Sequence, residues 1–167
     1  MRRLSGFHLR RFLTVTEREQ IAAALAEAGR HTRARIGLSI DERAAKDPQA
    51  RARVHFEEWQ LPEGERATAV LVYVSAPSRT YAIVGGEQVQ KVAPQAFWEL
   101  VDRDLHHHFE EGRYCDGIFK AIAQVAIQLE RHFPREPEQS RASFPECSQD
   151  LEEGPGGDPS DRTTGGR

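Results

Sequence analysis

Residues 69–84 read AVLVYVSAPSRTYAIV, and this stretch decides the architecture. Ala69 to Ser75 is apolar at nearly every position, the pattern of a strand covered on both faces. Pro77-Ser78 is turn chemistry, and Thr80 to Val84 resumes with β-branched and aromatic residues, so the two runs are expected to pair as a hairpin. Upstream, Arg35 to Ile40 (RIGLSI) reads as another strand, ending at the charged Asp41-Glu42. Between that strand and the hairpin, Asp47-Pro48 is an N-cap with proline at the first helical position. Ala52, Phe56 or His55, and Trp59 carry the helical stripe on until Leu61-Pro62 stops it. A strand-helix-strand crossover is right-handed and makes its two strands parallel. Strand 69–75 is therefore predicted to be central, with 35–40 parallel on one side and 80–84 antiparallel on the other.

The flanking segments read as helices. Thr16 and Glu19 form an S/T-x-x-E capping box with Val15 as a staple, and Ile21, Leu25 and Ala28 recur at helical spacing until Gly29. Beyond Gly85-Gly86, Pro94 opens a helix carrying Phe97, Val101, Leu105 and His108 up to Gly112. Asp116 is expected to cap a last helix with Ile118, Ile122, Val125 and Leu129 on its buried side. The predicted order is α-β-α-β-β-α-α, an α/β fold in which helices cover both faces of a small mixed sheet as a three-layer α/β/α sandwich.

Composition sets the limits of that domain. Residues 134–167 hold eight acidic residues against four arginines, five of the nine prolines and five of the 13 glycines, so their net charge of −4 in a chain of −3 leaves the body at +1, nearly neutral. With only Phe144 and Leu151 as large apolar groups, this stretch is expected to be a disordered acidic tail. Residues 1–12 read as a basic N-terminal extension and 13–133 as the folded domain. Basic residues are 20 Arg and three Lys, yet no basic and aromatic residues interleave, and nucleic acid is not an expected partner. No apolar run reaches the roughly 20 residues of a membrane span, and Met1-Arg2-Arg3 is followed by Arg10-Arg11 instead of an apolar signal core. Cys115 and Cys147 make neither a CxxC pair nor a disulfide framework, which fits a reducing cytoplasm.

Several stretches together resemble the TPM domain family, named for a thylakoid lumen protein, a photosystem repair protein and a levamisole-receptor modulator. They are Val70-Leu71-Val72-Tyr73; Arg79-Thr80-Tyr81-Ala82-Ile83-Val84-Gly85; Phe97-Trp98-Glu99; and His108-Phe109-Glu110-Glu111-Gly112-Arg113-Tyr114 with Gly117-Ile118. His132-Phe133-Pro134 is similar to the ending of the family's small soluble bacterial branch. The resemblance implies an α/β/α sandwich, binding of a divalent cation such as Ca²⁺ or Mg²⁺ in several members, and acid phosphatase activity in some.

The sequence departs from the family at its acidic positions. Thr68-Ala69 stand where members commonly carry Asn-Gly, Ser78 and Gly86 where Asp is usual, and Arg35 where a Glu often opens the first strand. Ca²⁺ takes six to eight oxygen ligands and Mg²⁺ an octahedral set, so these losses predict weak or no cation binding. Restoring Asp at Ser78 and Gly86 is the corresponding expected remedy. The ligand-binding cleft is expected at the strand ends, from Asp41, Thr68, Ser78, Arg79, Gly85 and Gly86. Two readings follow: a non-catalytic binding or scaffolding module for a protein or small molecule, with no cofactor, or a divalent-metal-dependent phosphatase of the TPM type.

Other constellations are weaker. Asp104, His107, His108 and Glu111 fall at i, i+3, i+4 and i+7 and could line a transition metal along one helix side, although a solvated helix face is the simpler reading; Asp41 and Glu42 are separate weak candidates for oxygen ligands. Gly85-Gly86 lacks the frame of a phosphate-binding loop and reads as a turn. Ser39, Ser75 and Ser78 have no sequence-adjacent His at triad spacing, so no nucleophile is predicted.

Overall fold

The computed structural model describes residues 12–136. The expected N-terminal extension, apart from Phe12, and the expected tail beyond Glu136 lie outside the described residues. The elements are α1 (Val15–His31), β1 (Ile36–Asp41), α2 (Pro48–Glu58), β2 (Val70–Ser75), β3 (Thr80–Gly85), α3 (Glu87–Val92), α4 (Gln95–Glu110) and α5 (Tyr114–His132), with a short 3-10 turn at Arg66–Thr68 before β2.

β2 is the middle of a three-stranded sheet ordered β1-β2-β3. β1 runs parallel to it, from Ile36 opposite Val70 to Asp41 opposite Ser75, and β3 antiparallel, from Val70 opposite Gly85 to Ser75 opposite Thr80. Every residue of β2 is buried, as its apolar run requires. Val72 and Val74 face a core shared with Ile21 of α1, Val101 and Leu105 of α4, and Ile118 and Ile122 of α5. Leu71 and Tyr73 face the other way, among Phe56, Ala69, Ala45, Ala52 and Ala82, where α2 forms the opposite layer. Each fully buried Val or Leu contributes on the order of 1.5–3 kcal/mol, so the alternating faces of β2 hold both helical layers.

Three local expectations are corrected. The N-cap of α1 is Thr14, not Thr16: Thr14 Oγ1 accepts from Glu17 N–H at 3.2 Å and Glu17 Oε2 accepts from Thr14 N–H at 2.7 Å. The overlapping register loses because it would staple Val15, which is 73% exposed, whereas Leu13 and Phe12 are buried in the core. Phe12, placed by the sequence in the extension, is thus part of the described core. At the C-terminal side the fold runs past residue 133, since Pro134 pairs with Thr32 and Arg135 N–H donates to His31 C=O at 2.9 Å. Asp116 lies in the first turn of α5 and makes no side-chain cap; Arg113 holds the cap position.

The sequence reading also missed α3. Its six residues are too few to show a helical period, yet Val89 is fully buried against Val70, Val125 and Leu129. α4 and α5 meet where a β-carbon on Gly117 would lie 2.8 Å from His108 Cβ, so this close helix crossing requires glycine. Among the described residues no helix is long and apolar enough to cross a membrane.

Candidate functional site

The strand register separates the expected cleft residues into two groups. Asp41, with Ser78 and Arg79 in the hairpin turn, lies at the end where Ser75 pairs with Thr80; Thr68, Gly85 and Gly86 lie at the end where Val70 pairs with Gly85. Five residue steps at ~3.3 Å put the two ends about 17 Å apart, too far for the two groups to share one ion.

At the Thr68 end the chain is closed on itself. Thr68 Oγ1 donates to Glu65 C=O, Arg35 Nε donates to Glu65 Oε2 at 2.6 Å, and Gly86 N–H donates to Ala69 C=O at 2.8 Å. A β-carbon on Gly86 would overlap the carbonyl oxygens of Arg66 and Ala67, so restoring Asp there cannot rebuild a ligand without moving the backbone. An open cleft of about 620 Å³ runs past Gly85 and Gly86 and is lined also by Arg53, Phe56, Arg66 and Glu87. Its wall carries both charge signs and no concentrated acidic donor set.

At the other end, Ser78 Oγ accepts from Ala45 N–H at 3.0 Å and Ser75 Oγ donates to Arg43 C=O at 2.7 Å, so both hydroxyls fasten the loop after β1 to the hairpin. Arg79 sits at φ 53, in the left-handed region, with its guanidinium 5.6 Å from the Tyr114 ring centroid.

Asp41 is the chemical centre of this end, and most of its partners were not legible in the sequence. β1 turns Ser39 and Asp41 to the α2 side, and α2 places Arg51 and His55 one turn apart on the facing side. Asp41 Oδ1 accepts from Arg43 N–H at 2.9 Å. Oδ2 accepts from Tyr73 O–H at 2.9 Å and from Arg51 at 2.8 and 3.3 Å. Burial works against the Asp41 carboxylate, and the bonds from Arg51, Arg43 N–H and Tyr73 outweigh it, holding the carboxyl at about 2. Burial, with the bond to Asp41, pushes the Tyr73 phenol up.

His55 bridges this network to Ser39: Nδ1 is 2.7 Å from Ser39 Oγ, and Nε2 lies 3.2 Å from Arg51 Nη2 and 3.4 Å from Asp41 Oδ2. Two tautomers fit these distances: Nε2 accepting from Arg51 with Nδ1–H given to Ser39 Oγ, or Nε2–H facing Asp41 Oδ2 with Nδ1 accepting from the Ser39 hydroxyl. In the first tautomer the imidazole orients the Ser39 hydroxyl; in the second it faces that hydroxyl as a base. Ser39 and His55 line a cleft of about 270 Å³ with Gly37, Glu58, Trp59 and Leu71. Gly37 is required there because a β-carbon would lie 2.7 Å from the Trp59 ring. The signal available in the sequence was the pairing of Ser39 with Asp41 two apart on a strand and of Arg51 with His55 four apart on a helix.

The expected metal face of α4 is dispersed. Asp104 turns to α5, bonding Lys120 Nζ at 2.9 Å and Gln124 Nε2 at 2.8 Å. His108 Nδ1–H donates to Asp104 C=O at 2.7 Å, while His107 pairs with Glu111 at 3.5 Å and Glu111 also binds Arg113. Glu42 is exposed beside the filled Asp41. Among the described residues no three His, Cys, Asp or Glu are grouped so as to hold a metal ion. The acids present do not converge as ligands for a hard divalent cation: Asp41 is engaged by Arg51, Asp104 by Lys120 and Glu111 by Arg113, Glu42 stands apart from them, and Thr68, Ser78 and Gly86 carry no acid.

The comparisons with known proteins agree with this fold. The BA42 protein of the psychrophilic bacterium Bizionia argentinensis is similar at 24% identity and TM-score 0.67, over 75% of this chain and 86% of that one. The N-terminal domain of a P. gingivalis protein matches at 14% identity and TM-score 0.60, over 73% and 79%. The N-terminal domain of the cg2496 protein of Corynebacterium glutamicum matches at 14% identity and TM-score 0.54, over 70% and 74%. No curated protein matches the chain. The TPM domain profile matches residues 8–128, most of the chain, and includes all three strands and the helices up to the penultimate turn of α5. The chain belongs to the TPM domain family.

Proposed function

We propose that this TPM domain is a non-catalytic binding or scaffolding module with weak or no divalent-cation binding and no metal-dependent phosphatase activity. The observation that carries this reading is the occupation of Asp41: its oxygens accept from Arg51, Tyr73 and the Arg43 N–H. A hard cation would have to displace a guanidinium from a buried carboxylate and still find most of its oxygen ligands elsewhere. The cleft beside Ser39 and Trp59 offers one hydroxyl, one imidazole and an indole face, groups that recognise a ligand without transforming it.

The test is a Ca²⁺ and Mg²⁺ titration followed by amide chemical shifts, run beside a p-nitrophenyl phosphate assay with and without chelator. The expected result is shifts that stay unsaturated at millimolar ion and no chelator-sensitive hydrolysis. Submicromolar binding centred on Asp41, or chelator-sensitive turnover, would overturn the proposal in favour of the phosphatase reading.

A further inference from the structure

At the start of β3 a cleft of about 410 Å³ is lined by Arg79 and Tyr81 of the hairpin and by Asp102, Phe109 and Glu110 of α4. Its volume is that of a small-molecule site. A row of rings runs along it: Tyr81 meets Phe109 at 5.0 Å between centroids, and Phe109 meets Tyr114 at 5.1 Å, both edge to face.

Opposite charges stand at the two ends of that row. The Arg79 guanidinium lies over the Tyr114 ring at 5.6 Å, and among the described residues it makes no ion pair. Among the described non-glycine residues Arg79 alone has a positive φ, where glycine is the easier residue, so this side chain is kept at a backbone cost. Thr80, also in the wall and next in sequence, leaves its buried Oγ1 without a hydrogen-bond partner, an orphan that native structures seldom keep. At the other end Tyr81 O–H donates to Asp102 C=O at 2.9 Å. Burial, and then the carboxylates of Asp102 and Glu110, push the Tyr81 phenol up, so both acids face that hydroxyl. Glu110 has His106 at 3.1 Å, whereas Asp102 makes no ion pair among the described residues. No three acids or histidines gather there to hold a metal, and an organic ammonium needs no such ligand shell.

We propose that this cleft binds an ω-ammonium carboxylate of lysine-like length, with its carboxylate on Arg79, its ammonium between Asp102 and Glu110, and its methylenes against Phe109 and Tyr81. A carboxylate matches the guanidinium fork and would also satisfy the Thr80 hydroxyl; a primary ammonium brings three donors to the two acids. The spacing sets the length. Crossing one ring of the row takes about 5 Å, roughly four carbon-carbon bonds at ~3.5 Å per three bonds of an extended chain. Glycine, with both charges on one carbon, cannot reach both ends, whereas lysine and 6-aminohexanoate can.

The test is a titration of the full-length chain with 6-aminohexanoate, followed by amide chemical shifts, beside hexanoate, hexylamine and glycine. The expected result is saturable shifts at Arg79, Tyr81, Asp102 and Phe109 in the millimolar range, with no effect of glycine. Hexanoate and hexylamine each lack one charge-assisted contact and are expected to bind about tenfold more weakly. Arg79→Gly removes the guanidinium and suits the backbone at that position; it should weaken 6-aminohexanoate about tenfold and leave hexylamine unchanged. Asp102→Asn keeps the carbonyl that holds Tyr81 and should weaken hexylamine and 6-aminohexanoate but not hexanoate. Absence of saturable shifts at these residues overturns the proposal. So does equal affinity for 6-aminohexanoate, hexanoate and hexylamine, or an Arg79→Gly chain that binds 6-aminohexanoate unchanged. The comparison of probes uses the unmodified protein, so it decides the matter even if a variant fails to fold.

Discussion

Arg51 closes on Asp41 with Nη2 2.8 Å from Oδ2, one turn of α2 before His55, so the acid that ends β1 is neutralised from the facing helix. This pair makes stability depend on pH. The Asp41 carboxyl is at about 2 in the folded chain against 3.8 when free. A lowered folded value means the contribution is complete above about pH 4 and is lost as the pH falls toward 2. About 2 kcal/mol is expected to disappear over that window. Urea unfolding at stepped pH measures it, and Asp41→Asn should flatten this part of the acid limb while lowering stability at neutral pH.

Tyr73→Phe removes one donor from the same carboxylate without changing packing volume appreciably. A hydrogen bond to a charged group contributes about 1.5–3 kcal/mol, so a loss near the lower end is expected, with the Asp41 titration moving upward. Carboxyl-carbon NMR of Asp41 reads the second effect directly, and an unmoved titration would mean the Tyr73 bond does not act on Asp41.

Gly86→Asp is expected to destabilise the domain by about 1–3 kcal/mol and to add no cation affinity, because its β-carbon meets the Arg66 and Ala67 carbonyls. Thermal unfolding and a Ca²⁺ titration of the variant check both statements. Ser78→Asp separates the two explanations for weak binding, since it places an acid at the Asp41 end of the sheet without the overlap at Gly86.

Ser39→Ala should cost about 1 kcal/mol, the usual value of one neutral hydrogen bond, by removing the partner of His55 Nδ1. Unmodified protein treated with a fluorophosphonate should stay unlabelled at Ser39, which mass spectrometry of the Ser39 peptide detects. Labelling would show that His55 does act as a base there.

Val89→Ala tests the short helix that periodicity did not reveal. Val89 is fully buried against Val70 and Leu129, and deleting its two methyls is expected to cost about 1–2 kcal/mol in equilibrium unfolding. A change within a few tenths would mean α3 is not held by that contact.

The sequence alone determined what depends on neighbours along the chain. The apolar run of β2 could only be a doubly covered strand, Pro77-Ser78 could only turn it, and Asp47-Pro48 could only start a helix, so the mixed sheet and its two helical layers were legible. Where two local solutions were nearly equal, as for Thr14-Glu17 and Thr16-Glu19, burial of Leu13 chose between them. Tertiary structure alone brought Ser39, Asp41, Arg51, His55 and Tyr73 into one network, because three elements contribute to it and no spacing along the chain encodes their distance. It also showed the carboxylate at Asp41 to be engaged rather than free. A sequence records that an acid is present; its partners, and therefore its charge and its capacity for a cation, are fixed only when the chain has packed around it.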